Sequence, residues 1–61
     1  MTFTTAELIA GAEHALRSMQ RRYPGYVLTG RITQRKAERR MAVMAAIVAL
    51  LREKAKTEML V

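Results

Sequence analysis

Met41-Ala-Val-Met-Ala-Ala-Ile-Val-Ala-Leu-Leu51 is the longest apolar run in this 61-residue chain. As a helix it extends roughly 16 Å, about half the ~30 Å hydrocarbon layer of a bilayer, so it is too short to cross a membrane. It is also apolar all round, whereas a helix lying on a membrane surface shows a basic face opposite an apolar one. Neither Pro nor Gly follows Thr33, and a single helix is predicted from Gln34 to about Glu58. Ala37, Met41, Met44, Val48, Leu51 and Ala55 alternate at spacings of four and three, which makes one seam. Val43, Ile47 and Leu50 fall on another face. A helix that is hydrophobic all round is normally buried all round.

Upstream, Thr33 is suited to cap this helix, with Ile32 before it and Ala37 four positions in as a weak hydrophobic staple. A first helix begins at Thr4-Thr-Ala-Glu7, the pattern of a capping box, with Phe3 and Leu8 at the two staple positions. Leu8, Ala12, Ala15, Leu16, Met19 and Tyr23 then recur at three- and four-residue spacing as one stripe. Pro24 disfavours the α region at Tyr23, so this helix is expected to span about residues 5–22. Residues 23–32 form the connection, a compact turn with Pro24 opening a short helical segment and Gly30 closing it in a left-handed conformation. Val27 and Ile32 are expected to tuck under it. A short connection makes the two helices antiparallel neighbours. The expected fold is therefore all-α, a single helical-hairpin domain over residues 1–61.

Such a chain buries only about 60% of its unfolded surface, and its core supplies no more than ~3–5 kcal/mol. The usual staples are missing: there is no cysteine for a disulfide, and one histidine with no aspartate leaves too few ligands for a structural zinc. Assembly with another chain is the remaining route. The first helix covers one face of the second, and leaving Val43, Ile47 and Leu50 in water forgoes roughly 1.5–3 kcal/mol each. Val43, Ile47, Leu50 and Leu51 are thus expected to form a self-association or partner face, most simply in a homodimer that makes a four-helix bundle, otherwise in the groove of a foreign protein. The apolar end Met59-Leu60-Val61 extends that patch.

Eleven Lys and Arg against five acids give a formal charge of +6 and an isoelectric point near 10.9. Eight of them, Arg17, Arg21, Arg22, Arg31, Arg35, Lys36, Arg39 and Arg40, lie within residues 17–40, where Glu38 is the one acid. In a hairpin these segments meet at the loop end. Arg35 and Lys36 occupy the first turn of the second helix, where the dipole disfavours cations by roughly 0.3–1 kcal/mol. Arginine's planar fork suits phosphate and carboxylate. The pole is expected to contact an anionic partner; the blander account is a solvated surface. Tyr23 and Tyr26 beside it are candidates for base stacking, although such rings more often pack on the core with the hydroxyl in water. A helix-turn-helix is disfavoured by the ten-residue connection and the lack of a third helix.

His14 stands alone, with no nucleophile, no orienting group and no cleft, and reads as a solvated surface residue. Without a glycine-rich phosphate loop or a carboxylate pair in a cleft, no catalytic residue, cofactor, metal or small-molecule substrate is expected. Met19, Met41, Met44 and Met59 read as core positions before an adaptable groove. Met1-Thr-Phe-Thr-Thr lacks the basic and apolar regions of a signal peptide, and cysteine-free composition suits a reducing cytoplasm.

Tyr23-Pro24, Val27, Gly30-Arg31-Ile32-Thr33-Gln34, Lys36-Ala37, and then Met44, Ala46 and Ile47 resemble small proteins of unknown function encoded in phages and prophages. The likeness covers roughly residues 16–51. It implies a helix, a Tyr-Pro turn with a Gly-basic-apolar-Thr step, and a second helix; where such proteins often carry an acid mid-way along that helix, Arg39 and Arg40 stand here. It also implies a class of work: stoichiometric binding to a host protein or nucleoprotein, as in an anti-restriction or anti-CRISPR inhibitor. A basic DNA- or RNA-binding accessory protein and a structural or assembly protein are the competing expectations.

Overall fold

The computed structural model describes residues 2–59. Two helices, α1 (Thr5–Leu28) and α2 (Gln34–Met59), pack along each other as an all-α hairpin. The short connection makes them antiparallel, as two cross-links between their far ends reflect: Thr5 Oγ1 donates to Glu58 Oε1 at 2.8 Å, and the Arg52 guanidinium pairs with the Glu13 carboxylate. Leu60 and Val61, expected to extend the apolar patch, lie outside the described residues.

α1 begins as its sequence dictates. The Glu7 N–H donates to Thr4 Oγ1 (3.1 Å) and the Thr4 N–H to Glu7 Oε1 (3.3 Å), which completes the capping box. Replacing Thr4 by Ala is expected to lower stability by about 1 kcal/mol. Thermal unfolding followed by circular dichroism should register it as a midpoint drop of about 4–8 °C.

The end of α1 departs from expectation. The helix runs through Tyr23-Pro24 and stops at Leu28, six residues beyond the expected Arg22, so the connection shrinks to residues 29–33. Proline in a helix interior removes one hydrogen bond and crowds the carbonyl four residues back. Here that carbonyl belongs to Gln20, and both Gln20 and Pro24 lie on the exposed side, where water can serve the orphaned acceptor. The extra turn carries Tyr26 and Val27, both half-buried, and their packing offsets the proline penalty.

It also builds the terminator. The Gly30 N–H donates to the Val27 carbonyl (3.2 Å) and the Arg31 N–H to the Tyr26 carbonyl (2.8 Å), the paired bonds of a Schellman motif, with Gly30 at φ +77°. The apolar contact that usually accompanies this motif is replaced by the Arg31 guanidinium, 5.6 Å from the centre of the Tyr26 ring. Open space surrounds the position of a Gly30 Cβ, so Gly30→Ala meets only the left-handed backbone cost. Denaturant titration should show a loss of about 1–2 kcal/mol with unchanged native helicity.

Across the hairpin, α2 presents the seam the spacing predicts: Ala37 and Val48 are buried, and Met41, Met44, Leu51 and Ala55 half-buried. Leu51, expected both in this seam and on the outer face beside Leu50, is half-buried, whereas Leu50 is exposed. The facing stripe of α1 is Thr5, Ile9, Ala12, Leu16, Met19, Tyr23 and Tyr26. Ile9 takes the inner place expected for Leu8, which stays 41% exposed at the margin. Among the described residues only Ala37 and Val48 are buried, and both are small. The molecule measures 48 × 21 × 17 Å with a radius of gyration of 14.2 Å, against about 10–11 Å for a compact chain of this length. It is a rod with almost no interior.

Candidate functional site

The loop half of the rod carries the charge. Residues 17–40 hold eight basic groups and one acid, formally +7, which leaves −1 for the rest of a +6 chain. All eight basic residues are exposed. Among the described residues the ion pairs are Arg52–Glu13 and Lys56–Glu53, both in the other half. Among the described residues, therefore, no carboxylate neutralises the pole from within 4.0 Å. Glu38, the acid inside it, accepts a hydrogen bond from Gln34 Nε2 at 2.9 Å.

These cations are placed against the interest of the helices. Thr33 caps α2 by accepting from the Lys36 N–H at 3.2 Å, which fixes Arg35 and Lys36 in the first turn beside the positive end of the helix dipole. That turn contains no acid. Arg17 and Arg21, Arg35 and Arg39, and Lys36 and Arg40 are three like-charged pairs at i,i+4, each unfavourable by about 0.2–0.5 kcal/mol. Charge laid down for solubility alone would be interleaved with acids, as it is around Arg52-Glu-Lys-Ala-Lys56.

Tyr23 and Tyr26 meet with ring centres 6.1 Å apart and planes tilted by 40°, both half-buried between the helices. Tyr26 is further engaged by Arg31. The pair thus serves first to close the loop end and to hold Arg31 in place. The spacing of Tyr26 from Arg31, five residues apart across a Gly turn, is the signal in the sequence for this contact.

Beside the pole lies the second feature. Val43 is 51% exposed, Ile47 41% and Leu50 71%, as expected for a face that α1 does not reach. Leu8, Ala12, Ala15 and Met19, spaced by four, three and four, run along the adjoining edge of α1. Met19, Val43 and Met44 floor a groove of about 410 Å³ rimmed by Lys36, Arg39 and Arg40. There the apolar face and the pole meet. The opposite edge of the hairpin is a wider depression lined by Glu13, Leu16, Arg17, Ala45, Val48, Ala49 and Arg52, crossed by the Glu13–Arg52 pair.

His14 is exposed. Among the described residues no three His, Cys, Asp or Glu side chains cluster as metal ligands would, and no helix is long and apolar enough to cross a membrane. Comparison with protein-family models, with curated proteins and with solved structures finds no match.

Proposed function

We propose that this chain works without catalysis, as a stoichiometric binder that applies its arginine pole to an anionic macromolecular surface. One observation carries the reading: eight exposed cations share one half of the rod without a carboxylate partner among the described residues, and two of them, Arg35 and Lys36, stand in the first turn of α2, where the helix dipole prefers acids. A protein or nucleoprotein of a host cell is the target that the likeness to phage-encoded proteins favours, and inhibition of a defence complex is its most concrete form. A DNA- or RNA-binding accessory role is the second reading, supported by the tyrosines among the arginines.

Fluorescence anisotropy with a random-sequence duplex and with polyglutamate separates the two. Engagement of several phosphates makes affinity for the duplex fall by orders of magnitude between about 50 and 200 mM salt. Preference for polyglutamate at equal salt assigns the pole to acidic protein. Failure to bind either polymer at about 50 mM salt would sink the proposal; affinity capture from a host lysate then names the partner of a pole that binds.

A further inference from the structure

We infer that a second copy of this chain covers the Val43–Ile47–Leu50 face, in an antiparallel two-fold dimer that carries its arginine poles at opposite ends. The folded chain exposes 5141 Å², whereas a monomeric protein of 6.9 kDa exposes about 4,000 Å². The excess is on the order of 1,000 Å², close to the roughly 800 Å² that each partner contributes to a stable interface. Burying that much of each chain against a second copy brings its exposed area down to about the value ordinary for a monomer of its own mass, which one chain alone does not reach.

The face is self-complementary. Val43 and Leu50 stand four and three residues to either side of Ile47, so a two-fold axis at Ile47 sets Ile47 against itself and Val43 against Leu50 of the second copy. The groove floored by Met19, Val43 and Met44 then receives that leucine, and the small side chains of Ala12 and Ala15 let the other helix approach. Charge selects the orientation: residues 17–40 carry formally +7 and the remainder −1. A parallel pairing stacks two like poles side by side, while the antiparallel one sets each beside the near-neutral end of its neighbour.

Sedimentation equilibrium without any anionic ligand tests the dimer, so its outcome is independent of the function proposed for the pole. At tens of micromolar the mass should be twice 6.9 kDa. Leu50→Lys, at a side chain already 71% exposed in the single chain, should return it to one chain mass, and Ile47→Glu should do the same. The chain has no cysteine of its own, so introduced thiols report orientation. Under mild oxidation Val43→Cys mixed with Leu50→Cys should give the mixed disulfide in preference to either homodimer, and Ile47→Cys should cross-link to itself. A wild-type mass of 6.9 kDa throughout this range overturns the inference, and preferential Val43→Cys self-linking overturns its antiparallel form.

Where the pole binds a polyanion, the dimer becomes bivalent, and this step rests on that proposed function. Donor- and acceptor-labelled duplexes should show energy transfer with the wild type and none with Leu50→Lys, which still binds each duplex singly. Equal transfer with both proteins would remove the bridging role.

Discussion

Arg35→Glu combined with Arg39→Glu is expected to abolish polyanion binding while making the hairpin more stable. Each reversal changes the charge by two, so residues 17–40 fall from +7 to +3. Both side chains are exposed, and neither has a carboxylate partner among the described residues, so the fold gives up no packing and no ion pair. Removing two charge-assisted hydrogen bonds to the polyanion, at about 1.5–3 kcal/mol each, lowers affinity at least about a hundredfold. The slope of log affinity against log salt should flatten by about one for each phosphate that is no longer engaged. Stability moves the other way. A glutamate at position 35 in the first turn of α2 favours the dipole that an arginine opposes, by roughly 0.3–1 kcal/mol for removing the cation and as much again for adding the anion. Anisotropy and thermal unfolding on the same sample therefore give opposite signs. Unchanged binding with a raised midpoint would reduce the pole to a solvated surface.

The same residues show which parts of the structure can be read from the chain and which cannot. Local rules hold where the chain's neighbours are its own: the Thr4–Glu7 box, the Thr33 cap and the left-handed Gly30 each depend on atoms within a turn. The α2 seam is also legible, since Ala37 to Ala55 keep one four-three spacing without interruption. The end of α1 is not. Pro24 carries a strong local signal to stop, but the decision belongs to Tyr26 and Val27, whose packing against α2 is a tertiary contact that spacing around the proline conceals. Leu8 and Ile9 are adjacent and both apolar, so only the rotation of α1 against α2, a tertiary feature, places Ile9 inward. Leu51 fits two faces by spacing for a similar reason, sitting in an apolar pair with Leu50 where the stripe and the outer face meet. Clustering of the basic residues is legible; the lack of neutralising partners around them becomes visible only once Glu38 is seen bonded to Gln34.

Ala37→Leu should be strongly destabilising. Ala37 is 1% exposed, and its N–H donates to the Thr33 carbonyl at 3.0 Å in the first turn of α2. It is the point where α2 leaves the loop and meets the end of α1. A leucine there adds three carbons where there is no room, and such overpacking costs typically 1–3 kcal/mol. Against a core worth no more than ~3–5 kcal/mol, that is a large fraction of the whole, and the thermal midpoint should fall by about 4–8 °C for each kcal/mol. Ala42→Leu supplies the control: it adds the same atoms to the same helix at an exposed position and should stay within about 0.5 kcal/mol of wild type. The effect reaches the pole, because Ala37 lies between Arg35-Lys36 and Arg39-Arg40, and prying α2 from α1 at this point spreads the arginines of the two helices apart. Affinity for the duplex should then fall with no change in net charge, a decrease that charge counting alone does not predict. Equal stability and equal affinity for the two leucine variants would mean that the helices do not meet at Ala37, and the geometry assigned to the pole would fall with that contact.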